Sequence, residues 1–207
     1  MMRTAMSLIV ALALFGAITP YASLFAQESV DDQLEAAIQK LKPLAEEPNG
    51  EATAVSLNEF LEATQNKISV SARKDGAAEK KLDVAPELER LPNVLVDISF
   101  EYNSSQILPS QIAKLAKIGT LLTDNRLKNS KLLLAGHTDA SGDNLYNVKL
   151  SNNRAAAIRD ALVQGFNVPQ SMLVTLGFGE EQLKDRVDPN SPVNRRVELI
   201  NLSSLVN

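Results

Sequence analysis

Residues 132–155 read LLLAGHTDASGDNLYNVKLSNNRA, and this stretch decides the fold. The apolar run Leu132–Ala135 is typical of a central strand, because large aliphatic side chains point to both of its faces. A polar, glycine-containing loop follows, and Asp143 is the predicted N-cap of a helix over Asn144–Gln164. Loops between a strand and a helix often carry binding groups. This loop is therefore the first candidate for a functional site.

Patterns on both sides of this stretch complete a mixed α/β domain. Alternating apolar residues predict a strand over Val94–Phe100, and helical periodicity predicts a helix over Pro109–Asp124. Two further apolar segments, Leu173–Leu176 and Val197–Leu199, predict the last two strands. The resulting order β-α-β-α-β-β predicts an α/β (α+β) two-layer sandwich with its helices on one side of the sheet.

The first 26 residues have the pattern of a secretory signal peptide. Arg3 precedes the uninterrupted apolar run Ser7–Ile18. This run is shorter than the roughly 17–25 residues that a bilayer-spanning helix needs. We therefore expect cleavage after Ala26 and a mature protein in the periplasm. The alternative is an uncleaved anchor in the inner membrane.

An acidic segment lies between this leader (1–26) and the predicted domain. Residues 27–92 carry 14 acidic and 8 basic side chains, whereas residues 93–207 carry 11 and 12. Ser29 and Ser56 each precede an acidic residue by three positions, which predicts two helix starts. Because the apolar faces are narrow, we favour a partly helical, solvated linker. The alternative is a helix pair that binds a partner protein.

The composition excludes several functional classes. The chain has no cysteine, which excludes disulfides, thiolate metal sites, a cysteine nucleophile and a lipid-modified cysteine. The single histidine excludes multi-histidine metal sites and leaves a Ser/His/Asp triad without a well-placed base. The net charge of −4 gives no indication of a nucleic-acid partner. We therefore expect a binding protein rather than an enzyme, with no metal and no cofactor.

Two charged side chains around the polar loop suit a zwitterionic ligand. Asp139 follows the end of the strand, and Arg154 shares a helix face with Asn147. An aspartate binds an ammonium group, and an arginine binds a carboxylate through two parallel hydrogen bonds. The residues also leave open an internal Asp139–Arg154 ion pair that holds the loop.

The combined spacing of four motifs resembles the OmpA-like C-terminal domain family. In chain order these are Gly136-His137-Thr138-Asp139 with Gly142, then Asn147 with Leu150-Ser151 and Arg154-Ala155, then Gly177-Phe178-Gly179-Glu180, and Asn194-Arg195-Arg196-Val197. The resemblance covers residues 93–202 and is far more specific than GHTD alone. Two departures from the family pattern stand out. Glu101 replaces the more usual aspartate, and the loop that follows Glu180 is shorter and lacks a Gly-Arg pair.

The resemblance implies non-covalent binding of peptidoglycan through the diaminopimelate of its stem peptide. It assigns the ligand ammonium to Asp139 and a ligand carboxylate to Arg154. The remaining predicted ligand-binding residues are Asn103, which follows the first strand, and Thr138, Asn147 and Arg195. The leader pattern, the absence of cysteine and the absence of a series of alternating strands lead us to expect a secreted family member without β-barrel or lipid anchor. Such a protein belongs to the Gram-negative envelope, in association with the outer membrane or the cell wall.

Two neighbours of these residues receive structural roles. His137 is predicted to hydrogen-bond locally and fix the loop. Arg195 and Arg196 point to opposite faces of the predicted strand. Arg195 is favoured for the site because it shares parity with the apolar Val197, which leaves Arg196 beside Glu198.

Two other functions remain as alternatives. The first is an envelope adaptor whose residues 27–92 recruit a partner protein, with wall binding secondary. The second is a peptidoglycan hydrolase, which the residue types disfavour because no clustered pair of carboxylates is apparent for glycoside cleavage.

Overall fold

The computed structural model describes residues 30–42, 56–72, 88, 90–100 and 103–205. The predicted signal peptide, its cleavage point and Glu101 lie outside the described residues. In chain order the elements are α1 (Val30–Leu41), α2 (Leu57–Ala72), β1 (Asn93–Val96), α3 (Ile112–Leu122), β2 (Leu132–His137), α4 (Asn144–Phe166), β3 (Leu173–Gly179) and β4 (Val197–Asn201). The predicted order of strands and helices within the domain is confirmed.

The four strands form one mixed sheet in the order β1-β4-β2-β3. β4 pairs antiparallel with both β1 and β2, whereas β2 and β3 are parallel. β2 is therefore an inner strand, and all of its residues are buried, as the apolar run predicts. Gly136 near the end of β2 is paired with both Gly177 of β3 and Val197 of β4. The loops that follow β2 and β3 and precede β4 consequently meet at one edge of the sheet.

The sheet separates two apolar clusters, because successive side chains of a strand point to opposite faces. On one face, Leu132 and Leu134 pack with Leu115 of α3 and with Ile158 and Leu162 of α4. On the other face, a second cluster includes Leu133, Ala135, Leu176, Phe178 and Ile200. α3 and α4 thus lie on one side of the sheet, which confirms the predicted two-layer arrangement of the domain.

Two glycines bring α4 into direct backbone contact with the sheet. A Cβ atom at Gly136 would lie 2.2 Å from the carbonyl oxygen of Ser151, and one at Gly177 would lie 2.4 Å from the amide nitrogen of Asn152. Ser151 is fully buried there, and its hydroxyl accepts a hydrogen bond from the Gly179 amide at 3.0 Å. The apolar Leu150 is only half-buried, because the close approach places the small Ser151 against the sheet.

The interpretation of residues 27–92 as a solvated linker is wrong for α1. Ile38 and Leu41 are fully buried in the same cluster as α3 and α4. The side-chain amide of Asn201 donates to the Leu41 carbonyl at 2.6 Å, and Arg126 pairs with Glu35 at 2.8 Å. The narrow apolar stripe of α1 is sufficient because it fills a strip of the domain that α3 and α4 leave uncovered.

The linker interpretation is also wrong for α2, which contributes to the opposite face. Ile68 is 1% exposed and belongs to the cluster that contains Leu133 and Phe178. Leu88 and Leu91, which precede β1 in the chain, belong to the same cluster on this face of the sheet. Ser56 caps α2 as predicted, since its hydroxyl accepts from the Glu59 amide at 3.3 Å. Among the described residues, no helix combines the length and apolar character that crossing a membrane requires.

Candidate ligand-binding site

The loop after β2 is held by hydrogen bonds on three sides. The Thr138 amide donates to the Gly179 carbonyl at 2.8 Å, and the Ala140 amide donates to the Pro189 carbonyl at 3.0 Å. Asp143 caps α4 as predicted, because its carboxylate accepts from the Tyr146 amide at 2.8 Å. The loop therefore presents Asp139 from a fixed backbone.

Asp139 is largely buried and is already ion-paired. Its side chain is 13% exposed, and its Oδ2 accepts from Arg195 at 2.7 Å while its Oδ1 accepts from the Ser141 amide at 3.1 Å. Burial raises the pKa of the Asp139 carboxyl, but the hydrogen bonds from Arg195 and Ser141 outweigh it and leave this pKa below its ordinary value. Asp139 is therefore a carboxylate at neutral pH.

Arg154 lies half-buried at the same edge of the sheet, with its guanidinium aimed by two contacts. Its Nε donates to the Ser104 carbonyl at 3.0 Å, and the guanidinium carbon lies 5.2 Å from the centre of the Phe100 ring. Burial lowers the pKa of Arg154, and the positive charge of Arg195 lowers it further. Arginine stays protonated despite such a shift. Arg154 thus carries a charge in a place that favours its neutralisation by an anion.

The internal Asp139–Arg154 ion pair left open by the sequence is wrong. Asp139 pairs with Arg195, whereas Arg154 forms an ion pair with no carboxylate in the part of the chain that the structure describes. The Asp139 charge nonetheless acts on Arg154, since it opposes the lowering of the Arg154 pKa. The predicted convergence of a carboxylate and a guanidinium is present, with a second guanidinium already bound to the carboxylate.

A pocket of about 380 Å³ opens beside these groups. Phe100, Arg154 and Arg195 line it, together with Arg196 and Asp97. Its cationic lining favours an anionic group of the ligand. Among the described residues, no cluster of three or more histidine, aspartate or glutamate side chains is arranged to hold a metal ion.

The two adjacent arginines have different roles, as the strand parity predicts. Arg196 is fixed: its Nε donates to Glu198 at 2.6 Å, and its terminal nitrogens donate to the carbonyls of Asn194 and Gln182. Arg195 turns the other way to Asp139, and 46% of its side chain is exposed. Both arginines line the pocket, but only Arg195 pairs with Asp139, and its contact with a ligand stays a prediction.

Asn103 and Tyr146 form a polar rim above Arg154. The Tyr146 hydroxyl donates to Asn103 Oδ1 at 2.6 Å, and Asn103 has a φ of 51°, in the left-handed region that asparagine tolerates. Asn103 is exposed, which leaves its side-chain amide available to a ligand. Asn103 precedes Ser104, whose carbonyl holds Arg154, and its contact with a ligand stays a prediction.

Asn147 and Thr138 lie beneath the loop rather than at its surface. Asn147 is 3% exposed, and its amide donates to Glu180 at 2.8 Å and to the Ser141 carbonyl at 3.1 Å. Thr138 is 3% exposed, and its hydroxyl has no hydrogen-bond partner among the described residues. Both residues support the Asp139 backbone, and their direct contact with a ligand stays a prediction.

His137 differs from its prediction. Its ring is 2% exposed and stacks on Phe178 with a centroid separation of 5.4 Å. Neither ring nitrogen has a hydrogen-bond partner in the described part of the chain, so the predicted local hydrogen bonding is wrong. Burial lowers the pKa of His137 well below 6.5, and the charge of Arg196 adds to this effect. His137 is consequently a neutral packing residue.

The sequence reasoning missed three groups that shape the site. The Phe100 ring and the Ser104 carbonyl orient Arg154, although they lie about 50 positions away along the chain. Asn194, which is fully buried, donates to three carbonyls of the preceding loop and thereby fixes the backbone next to Arg195. The N-R-R-V motif contains Asn194, but its spacing alone carries no signal for this anchoring role.

Comparison with known proteins identifies the family of the chain. The peptidoglycan-associated lipoprotein of Pseudomonas aeruginosa is 30% identical to the chain over 125 residues, which cover 60% of this chain and 73% of that protein. The OmpA family model matches residues 99–197. The chain belongs to the OmpA family. The matched residues include Phe100, Asp139, Arg154 and Arg195, so the site lies wholly within the shared region.

Other members of the OmpA family match over the same part of the chain. Outer membrane porin F of Pseudomonas aeruginosa is 28% identical over 115 residues, which cover 55% of this chain and 32% of the porin. The chain therefore spans about a third of the length of that relative. Among solved structures, the OmpA-like domain of FopA1 from Francisella tularensis is 25% identical and covers 52% of this chain and 70% of that one, with a TM-score of 0.45.

Proposed function

We propose that the OmpA domain of this chain binds peptidoglycan non-covalently, through the diaminopimelate residue of the stem peptide. The observation that carries the proposal is the half-buried Arg154 guanidinium, which faces a pocket and has no carboxylate partner among the described residues. Its neighbour Asp139 supplies the opposite charge. The name of the related peptidoglycan-associated lipoprotein supports the same ligand class.

The side chain of diaminopimelate ends in a zwitterion, which matches the two charges of the site. Arg154 binds the carboxylate through its terminal nitrogens, since its Nε is held by the Ser104 carbonyl. Asp139 accepts the ammonium, and Asn103 contributes an exposed amide at the rim. Thr138 and Asn147 position the loop. A stem peptide with lysine lacks the second carboxylate and binds more weakly.

A pull-down with purified sacculi tests this proposal. We expect Arg154→Ala to lose about 2–5 kcal/mol of binding free energy, the range for removing one partner of a buried charge pair. For a weak ligand this loss abolishes detectable binding. Arg159→Ala is the matched control, because Arg159 lies on the same helix and pairs with the exposed Asp160 at 2.7 Å. The proposal fails if Arg154→Ala binds sacculi like the wild type while its melting curve is unchanged.

The proposed location is the periplasm, where stem peptides are accessible. It rests on the leader pattern of residues 1–26 and on relatives that are named as outer-membrane or peptidoglycan-associated proteins. N-terminal sequencing of the mature protein is expected to begin near Gln27. Recovery of a chain that retains Met1 would favour the anchored alternative.

A further inference from the structure

The Asp139 carboxylate is not open to a ligand in the free protein. Arg195 donates to its Oδ2 at 2.7 Å, and the Ser141 amide donates to its Oδ1 at 3.1 Å. An ammonium group that binds Oδ2 of Asp139 must therefore compete with the Arg195 guanidinium for this oxygen. Because of this competition, Arg195 affects which ligands can bind to Asp139.

Arg195 has an anchored backbone and a half-exposed side chain. Its neighbour Asn194 is fully buried and donates to the carbonyls of Asp185, Asp188 and Pro189. Beyond this anchor, 46% of the Arg195 side chain is exposed, in contrast to 9% for Arg196. Rotation of the Arg195 side chain away from Asp139 consequently needs no change in the loop.

Arg195 also lies close to the second charge of the site. It lines the same pocket as Arg154, and its positive charge lowers the pKa of that residue. If Arg195 leaves Asp139 without finding an anion, Arg195 and Arg154 carry two positive charges at one pocket, and neither is paired with a carboxylate of the described residues. A ligand carboxylate in the pocket removes this repulsion, because both guanidiniums can donate to it.

We propose that Arg195 is a specificity-determining residue, which releases Asp139 only to a ligand that brings an ammonium and a carboxylate together. The inference rests on the proposed function and adds the device that enforces it. A lone ammonium displaces Arg195 and leaves it unpaired beside Arg154. A ligand with a carboxylate alone binds Arg154 but makes no contact with Asp139, which stays paired with Arg195. A zwitterion pairs with all three side chains at once, so its two charges bind cooperatively.

The test compares two synthetic stem peptides, one with diaminopimelate and one with lysine at the same position. Their affinities are measured by calorimetry for the wild type, Arg195→Ala and the control Arg159→Ala. Opening Asp139 is expected to make the lysine peptide bind Arg195→Ala about tenfold more tightly than the wild type, the effect of one charge-assisted hydrogen bond. The preference for diaminopimelate falls accordingly in Arg195→Ala and is kept in Arg159→Ala.

The outcomes separate this inference from the proposed function. If the wild type binds neither peptide, the proposed function fails and the inference fails with it. If the wild type prefers diaminopimelate and Arg195→Ala keeps the same preference, with both affinities equal or equally reduced, the inference alone is overturned. Arg195→Gln serves as a second variant, since it keeps a donor near Asp139 without the charge and is expected to lose preference in the same direction.

A spectroscopic readout in the wild-type protein needs no substitution of Arg195. The Nε–H resonance of Arg195 is expected to shift on addition of the diaminopimelate peptide, because its guanidinium exchanges Asp139 for the ligand carboxylate. The lysine peptide is expected to leave this resonance in place at concentrations that saturate the site with the first peptide. Identical shifts with the two peptides would contradict the exchange.

Discussion

At the scale of single residues, Asp139 obtains its partner from the loop between β3 and β4, since Arg195 donates to its Oδ2 at 2.7 Å. Spacing along α4 is enough to place Arg154 near the loop, and strand parity is enough to turn Arg195 toward the site. The pairing of Asp139 with Arg195 was not predictable. It depends on the path of the loop between β3 and β4, which Asn194 fixes through hydrogen bonds to three carbonyls. No periodicity in the sequence encodes such a path.

Replacing Arg154 by lysine separates charge from geometry. Arg154→Lys keeps the positive charge but loses both the Nε contact to the Ser104 carbonyl and the planar fork that binds a carboxylate at two points. We expect sacculus binding to fall about tenfold, the equivalent of one charge-assisted hydrogen bond. A co-sedimentation titration measures the effect. Full binding by Arg154→Lys would mean that a point charge suffices and that the fork plays no part.

The burial of His137 leads us to expect that the folded protein is less stable at acidic pH. The pKa of His137 lies well below 6.5 in the folded protein, so the unfolded chain binds the extra proton first as the pH falls. The contribution of neutral His137 to the free energy of unfolding is therefore complete above pH ~6.5. It decreases as the pH falls below this value, with a limiting slope of about 1.4 kcal/mol per pH unit. Because the chain has a single histidine, this slope between about pH 5 and 6.5 belongs to His137.

Urea denaturation at several pH values measures this slope. His137→Asn removes the titrating group, and its stability curve is expected to be flat over the same pH window, whatever its absolute stability. The same slope in wild type and variant would assign the acid sensitivity to another group and contradict the buried, neutral histidine.

At the scale of elements, the placement of α4 decides where Arg154 lies. Gly136 and Gly177 let the helix backbone touch β2 and β3, and both glycines belong to motifs that were recognised in the sequence. The helix itself was predictable from its N-cap and periodicity. The rotation of α4 about its axis was not predictable, because Ser151 rather than Leu150 faces the sheet. Backbone contact, and not hydrophobicity, determines which of the two residues lies there.

A pair of alanine substitutions tests this contact. Gly177→Ala places a Cβ 2.4 Å from the Asn152 amide and is expected to destabilise the protein by about 1–3 kcal/mol, the usual cost of overpacking. Gly165 lies in α4, and a Cβ atom there would meet no atom within 4 Å. Gly165→Ala is therefore expected to stabilise the protein by about 0.5–1 kcal/mol through helix propensity. Thermal denaturation distinguishes the two, and equal effects would refute the close approach.

At the scale of the whole molecule, α1 and α2 belong to the folded body. Their apolar stripes were visible in the sequence, as were the serines that precede them. The partner of an apolar stripe lies far away along the chain or on another molecule. The sequence of an amphipathic helix is therefore the same whether the helix packs on its own sheet or on another protein. For α1 the buried Ile38 and Leu41 give the answer, and its apolar face is used within the chain.

Shortening the chain to residues 93–207 tests the contribution of these helices. The domain is expected to unfold cooperatively on its own, as the sequence predicts. Its stability is expected to be lower, because burial of one large aliphatic side chain contributes about 1.5–3 kcal/mol and Ile38 and Leu41 are both lost. Chemical denaturation of both chains measures the difference. A shortened chain without a cooperative transition would move the domain boundary to include α1.

The attachment of α1 has a mechanical consequence. Gly136 and Val197 pair beside the binding loop, whereas Leu132 pairs at the far end with Asn201, whose side-chain amide holds the Leu41 carbonyl. Tension between a ligand in the loop and the chain that precedes α1 therefore runs lengthwise along β2 and β4. Ladder hydrogen bonds lie across the strands, so they bear this load together in shear rather than peeling apart one by one. α1 is attached through Ile38, Leu41 and a few polar contacts, so we expect it to detach before β2 separates from β4, which would lengthen the protein without releasing the ligand.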